Sequence, residues 1–95
     1  MTYVTMTFWR ATELSDETIA TSNEKYLPLI KSIGATGVRM VRTGNLSFCV
    51  ITEYTDSETA QAAQSKIDDL RFQAASELPI TLVDVQSGDV VAGTY

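Results

Sequence analysis

The chain offers few side chains with which to do chemistry, and histidine is absent altogether. Without an imidazole there is neither the usual base near neutral pH nor the commonest transition-metal ligand, and one cysteine, Cys49, cannot build a thiolate site. The expectation is no metal and no cofactor. Cys49 lies between Phe48 and Val50 with no basic neighbour in sequence, so nothing lowers its thiol pKa and it reads as a buried, inert thiol. Arg10, Arg39 and Arg42 fall at or near strand ends, where a guanidinium keeps its charge and offers forked donors to a carboxylate or phenolate. Arg39 stands among apolar positions, and an ion pair with an acid is the stronger reading there. Asn23 follows the spacing of Ile19, Tyr26 and Ile30, so its amide is a candidate to orient an oxygen atom. Asp84 reads as a charge that protects a sheet edge rather than as a base. Trp9, Tyr26, Tyr54 and Phe72 suit the wall of a cavity for a planar organic molecule, although the same spacing serves packing. The pocket candidates are Trp9, Asn23, Tyr26, Arg39, Arg42 and Phe72. No nucleophile, base and orienter stand in recognisable spacing, so catalytic residues are left unassigned.

The elements that must position these side chains follow from periodicity. Residues 3–10 place Val4, Met6 and Phe8 on one side and Tyr3, Thr5, Thr7 and Trp9 on the other, which predicts a strand. Ser15 caps a helix with Asp16 and Glu17 in its first turn, Ile19, Tyr26, Leu27, Ile30 and Ile33 recur at helical spacing, and Gly34 stops it. Pro28 predicts a kink or a fresh start within that helix. Two β-rich runs, 38–43 and 46–54, flank Gly44-Asn45, which predicts a hairpin with a type II′ turn in which Thr43 opposes Leu46. On that register Met40 shares a face with Cys49 and Val38 with Ile51, while Val41, Phe48, Val50, Arg39 and Tyr54 share the other.

Asp56 or Ser57 caps a second helix whose apolar stripe is Ala60, Ala63, Ile67, Leu70 and Ala74, beside a polar side holding Gln61, Lys66, Asp68, Asp69 and Arg71. Pro79 ends it, residues 80–86 alternate as a fourth strand, Ser87-Gly88-Asp89 turns the chain, and 90–92 reads as a short extra strand. The order β-α-β-β-α-β is that of an α+β, ferredoxin-like split β-α-β antiparallel sheet, read as one domain over 1–95. Two helices cover one side of such a sheet, yet both faces carry large apolar groups, so the expected partner is a second copy packed on the open face, with Val41, Leu46, Phe48, Val50, Tyr54 and Trp9 in the contact.

Twelve acidic against seven basic residues give a net charge of −5, the wrong sign for a nucleic-acid partner. No run is apolar enough to span a bilayer, the alternating first residues do not read as a signal peptide, and a single cysteine suits the cytoplasm. The stretch Tyr26-Leu27-Pro28-Leu29-Ile30-Lys31-Ser32-Ile33-Gly34 leading into Gly37-Val38-Arg39-Met40-Val41-Arg42, and the strand Phe48-Cys49-Val50-Ile51-Thr52-Glu53-Tyr54 before a capped helix, resemble the dimeric α/β-barrel superfamily and its antibiotic biosynthesis monooxygenase-like branch. That resemblance implies a homodimer and, for function, a cofactor-independent monooxygenase-like enzyme acting on a small aromatic or apolar molecule. The residues alone favour the alternative, a non-enzymatic small-ligand-binding or structural dimer. Haem chemistry, which relies on histidine in such proteins, does not fit a chain that has none.

Overall fold

The computed structural model describes residues 1–94, and strand β1 (Tyr3–Ala11) runs through the alternating N-terminal segment. Its odd residues Thr5, Thr7, Trp9 and Ala11 are buried, while Val4, Met6 and Phe8 on the other face are only half-buried. Ser15 caps helix α1 (Asp16–Thr21), its Oγ accepting the Thr18 N–H at 3.2 Å. The break expected at Pro28 takes a definite form. The helix widens into a π turn over Ser22–Tyr26, closed by the Leu27 N–H on the Ser22 carbonyl, and restarts as α2 (Leu27–Ser32) with Pro28 in its first turn. There a missing N–H costs nothing and the fixed proline φ is already helical. Gly34 follows at φ +129°, a conformation that a side chain would strain.

Strands β2 (Gly37–Gly44) and β3 (Ser47–Tyr54) form the hairpin, and helix α3 (Ser57–Glu77) is capped by Asp56, whose Oδ1 accepts the Thr59 N–H at 2.8 Å. Strand β4 (Ile80–Asp89) closes the order β2-β3-β1-β4, with every pairing antiparallel. The helices lie on one face. Under α3, Ala60, Ala63, Ile67 and Tyr54 make one buried cluster, and Trp9, Phe48, Tyr26, Ala74 and Ile80 make a second beside it.

The hairpin register departs from the sequence reading. Gly44 pairs with Ser47, leaving Asn45-Leu46 as the turn, and glycine at 44 has no positive φ. Its role is close approach: a Cβ there would meet Ser47 Oγ at 2.7 Å. An irregularity between Arg42 and Gly44 then sets Met40 against Val50 and Val41 against Cys49. A shift of one residue swaps faces. Met40, Val38, Phe48 and Val50 therefore lie under the helices, Phe48 and Tyr54 are buried at 4% and 3% exposure, and Trp9 is buried with them. The open face carries Val4, Met6, Phe8, Cys49, Ile51 and Val41 instead, so of the contact expected from sequence only Val41 stands there. Leu46 is in the turn. Strand β4 also runs further than expected, pairing Ser87, Gly88 and Asp89 with Thr5, Val4 and Tyr3 where a turn was predicted, and residues 90–94 form no strand.

Candidate functional site

The helical segments α1–α2 and α3 share the sheet as a floor and leave between them a partly open cavity of about 60 Å³. Strand β1 supplies Trp9 and Thr7 to it, β3 supplies Phe48 and Thr52, and the π turn supplies Ser22 and Tyr26. Trp9 and Phe48 are directly paired across β1 and β3, and their rings lie parallel within 2° at a centroid separation of 6.0 Å. That offset arrangement is a favourable one for aromatic pairs.

Both polar tips on these aromatic walls are already engaged. Trp9 Nε1 donates to Thr7 Oγ1 at 2.8 Å, and the Tyr26 hydroxyl donates to Glu77 Oε2 at 2.6 Å. Burial, and after it the hydrogen bond and charge of Glu77, push the Tyr26 hydroxyl up to about 12. It stays protonated at neutral pH and is no base. Glu77 in turn is held below the usual carboxylate range, first by Lys25 Nζ at 2.6 Å and then by Tyr26. This carboxylate joins the last turn of α3 to the π turn across the rim of the cavity.

The pocket candidates separate into three places. Trp9 and Tyr26 line the cavity. Asn23, Arg39 and Arg42 line a second, wide groove between the first helical segment and β2, on the outer side of that segment. The π turn explains the separation, because its wider turn breaks the spacing that would have set Asn23 over Tyr26. Arg42 Nη2 donates to the Leu14 carbonyl at 2.9 Å and ties the hairpin to the loop after β1, while Arg39 is largely exposed and 3.9 Å from Glu53. Phe72 is 79% exposed on the outer side of α3, away from both. Asp84 is exposed on edge strand β4, and the Cys49 thiol, on the open sheet face, is pushed up by burial.

One cavity-lining side chain stands where the sequence pattern did not put it. Arg71 lines the cavity from α3, with a side chain only 16% exposed, and it lies at helical spacing from Ile67 and Ala74 on the apolar stripe itself. Its charge had assigned it to the polar side. Among the described residues no three of His, Cys, Asp and Glu come together as a metal would need, and no helix is long and apolar enough to cross a membrane.

No family model matches the chain, and no curated protein matches it. Solved structures do. A protein of unknown function from Nitrosomonas europaea superposes with a TM-score of 0.70 at 20% identity, over 100% of this chain and 95% of its own. A dimeric ferredoxin-like protein from an uncultured marine organism gives 0.69 at 16% identity over 98% of each chain. The fold is ferredoxin-like. A candidate antibiotic biosynthesis monooxygenase from Chloroflexus aurantiacus J-10-fl is similar as well, with a TM-score of 0.63 at 16% identity over 100% of this chain and 98% of its own.

Proposed function

We propose that this protein is a homodimer closed through the open sheet face, and that each subunit binds a small apolar or aromatic molecule in the cavity between Trp9 and Tyr26. The cavity carries the reading. It is walled by aromatic and aliphatic side chains whose polar tips, on Trp9 and Tyr26, are already hydrogen-bonded within the protein. One water occupies roughly 10–15 Å³ on this measure and a cavity of about 150 Å³ takes benzene, so 60 Å³ holds a small aliphatic group as it stands. A ring enters with some movement of the walls. The dimer rests on Val4, Met6, Phe8 and Ile51, half-buried and uncovered beside exposed Val41, each of which forgoes part of the about 1.5–3 kcal/mol that full burial of such a side chain gives. A structural neighbour of this fold is dimeric. A single buried thiol agrees with a cytoplasmic setting.

A second reading, a cofactor-independent monooxygenase, is favoured by the likeness to the Chloroflexus protein. In such chemistry the substrate's own anion passes electrons to dioxygen, and the protein excludes water and donates hydrogen bonds. Tyr26, at about 12, does not take the substrate's proton, so this reading requires a substrate that ionises without a tyrosine base. Binding is therefore the primary proposal. Native mass spectrometry of the protein purified from a cell lysate tests it. A dimer with retained small-molecule mass is the expected result. A monomer at micromolar concentration would refute the dimer, and an empty protein that takes up no apolar fragment would refute the pocket.

A further inference from the structure

Arg71 is the only charged residue among those that line the cavity, and no acid faces it there. Its one ionic partner, Asp68, stands on the solvent side, 59% exposed, and is reached by a single 3.4 Å contact from Nη1. A guanidinium carries five N–H donors, and one long contact engages one of them. Among the described residues no fully enclosed side-chain nitrogen or oxygen lacks a partner, so the guanidinium is not sealed off, and its side chain, 16% exposed, borders the cavity. Burial pulls this guanidinium down from its usual value, with the Asp68 charge opposing, and its own charge pulls against the burial that raises the Tyr54 hydroxyl. Arg71 is thus a partly dehydrated cation with no counter-ion on its inner side, in a chain whose net charge is −5. Such a cation gains more from an anion than a hydrated one does, because part of its desolvation cost has already been met on folding.

We infer that the cavity selects a ligand carrying an anionic oxygen, a carboxylate, enolate or phenolate, and that Arg71 holds that oxygen while the Trp9–Phe48 wall takes the apolar body. Thr7 and Thr52 add hydroxyls on the sheet floor beside it. This rests on the cavity being a binding site, and it adds a charge requirement that apolar walls alone do not impose.

The test compares acids with neutral counterparts of nearly the same shape. Isobutyrate against isobutyramide, and benzoate against benzamide, are titrated into the intact protein and followed by the fluorescence of Trp9, the only tryptophan. The acids bind at least tenfold more tightly, the acid-over-amide preference disappears in Arg71→Met, and Arg71→Lys restores part of it. Equal binding of acid and amide to the unmodified protein would overturn the inference while leaving the pocket standing. Failure of all four to bind would remove both. Because the acid–amide comparison is made first on the natural sequence, a variant that does not fold leaves that decision intact, and the protein's negative charge works against a spurious preference for anions.

Discussion

Replacing Phe48 by alanine separates the two registers available to the hairpin. In the observed register Phe48 lies under the helices, 4% exposed and stacked on Trp9. Removing a buried phenylalanine costs about 3–5 kcal/mol, the lost aromatic pair being part of that sum. For 95 residues an unfolding entropy of about 2.1 cal/mol/K per residue gives about 0.2 kcal/mol/K, so the melting temperature falls by about 15–25 °C. Total stability on the order of 5–14 kcal/mol leaves a folded population in the cold. Thermal unfolding by circular dichroism at a fixed protomer concentration reads the first quantity, and sedimentation at low temperature reads association, which stays as it was. A Phe48→Ala protein that melted within a few degrees of the original but sedimented as a monomer would refute the register and return Phe48 to the open face.

Met6→Glu places a charge on the open face between the half-buried Val4 and Phe8; sedimentation equilibrium should give a monomer, with the far-ultraviolet spectrum of the folded chain retained. Gly44→Ala brings a Cβ to 2.7 Å from Ser47 Oγ and makes that hydroxyl rotate away from Thr43 Oγ1; the melting temperature should fall only slightly, and a fall as large as that of Phe48→Ala would contradict this reading of the turn. Glu77 has its folded pKa lowered by Lys25 and Tyr26, so its stabilisation is present above the unfolded value of 4.5 and is lost as pH falls through the folded one. Melting curves from pH 7 to 3 should therefore show an acid limb that is shallower in Glu77→Gln, though not flat, because Asp56, lowered by its bond from the Thr59 N–H, titrates in the same sense.

Element order, caps and stops were legible in the sequence because each is set by chemistry within a few residues. Ser15 and Asp56 cap, Gly34 and Pro79 stop, and Pro28 breaks the first helix, all by local rules about donors and φ. The face assignment of β2 was not legible, since it depends on whether the turn sits at 44–45 or 45–46. The second arrangement pairs Gly44 with Ser47 across the turn. Phe48, Val50 and Tyr54 therefore stand together under the helices rather than on the open face, which carries Val4, Met6, Phe8 and Ile51 in their place. Arg71 and Phe72 failed for the opposite reason. Residue type was allowed to outweigh spacing, although 67, 71 and 74 share a helical face and 72 does not.

The cavity itself follows from how the first helix is interrupted. Continued at ordinary α spacing, the segment through 22–26 would carry Asn23, Tyr26 and Ile30 on one side, as the sequence suggested. The π turn adds a residue to that circuit. Asn23 goes to the outer groove, Ser22 and Tyr26 go to the inner wall, and the Tyr26 hydroxyl reaches Glu77 at the end of α3. Helix α3, meanwhile, buries Ala60 and Ala63 in one core cluster and presents the small Ala74 to the cavity. Ile67, Leu70 and Arg71 line it as well. A stripe of larger residues in α3 would have filled the space and dispensed with a cation there. Ala74 leaves room for the cavity, the interruption before Pro28 turns Tyr26 toward it, and Arg71 gives it a sign.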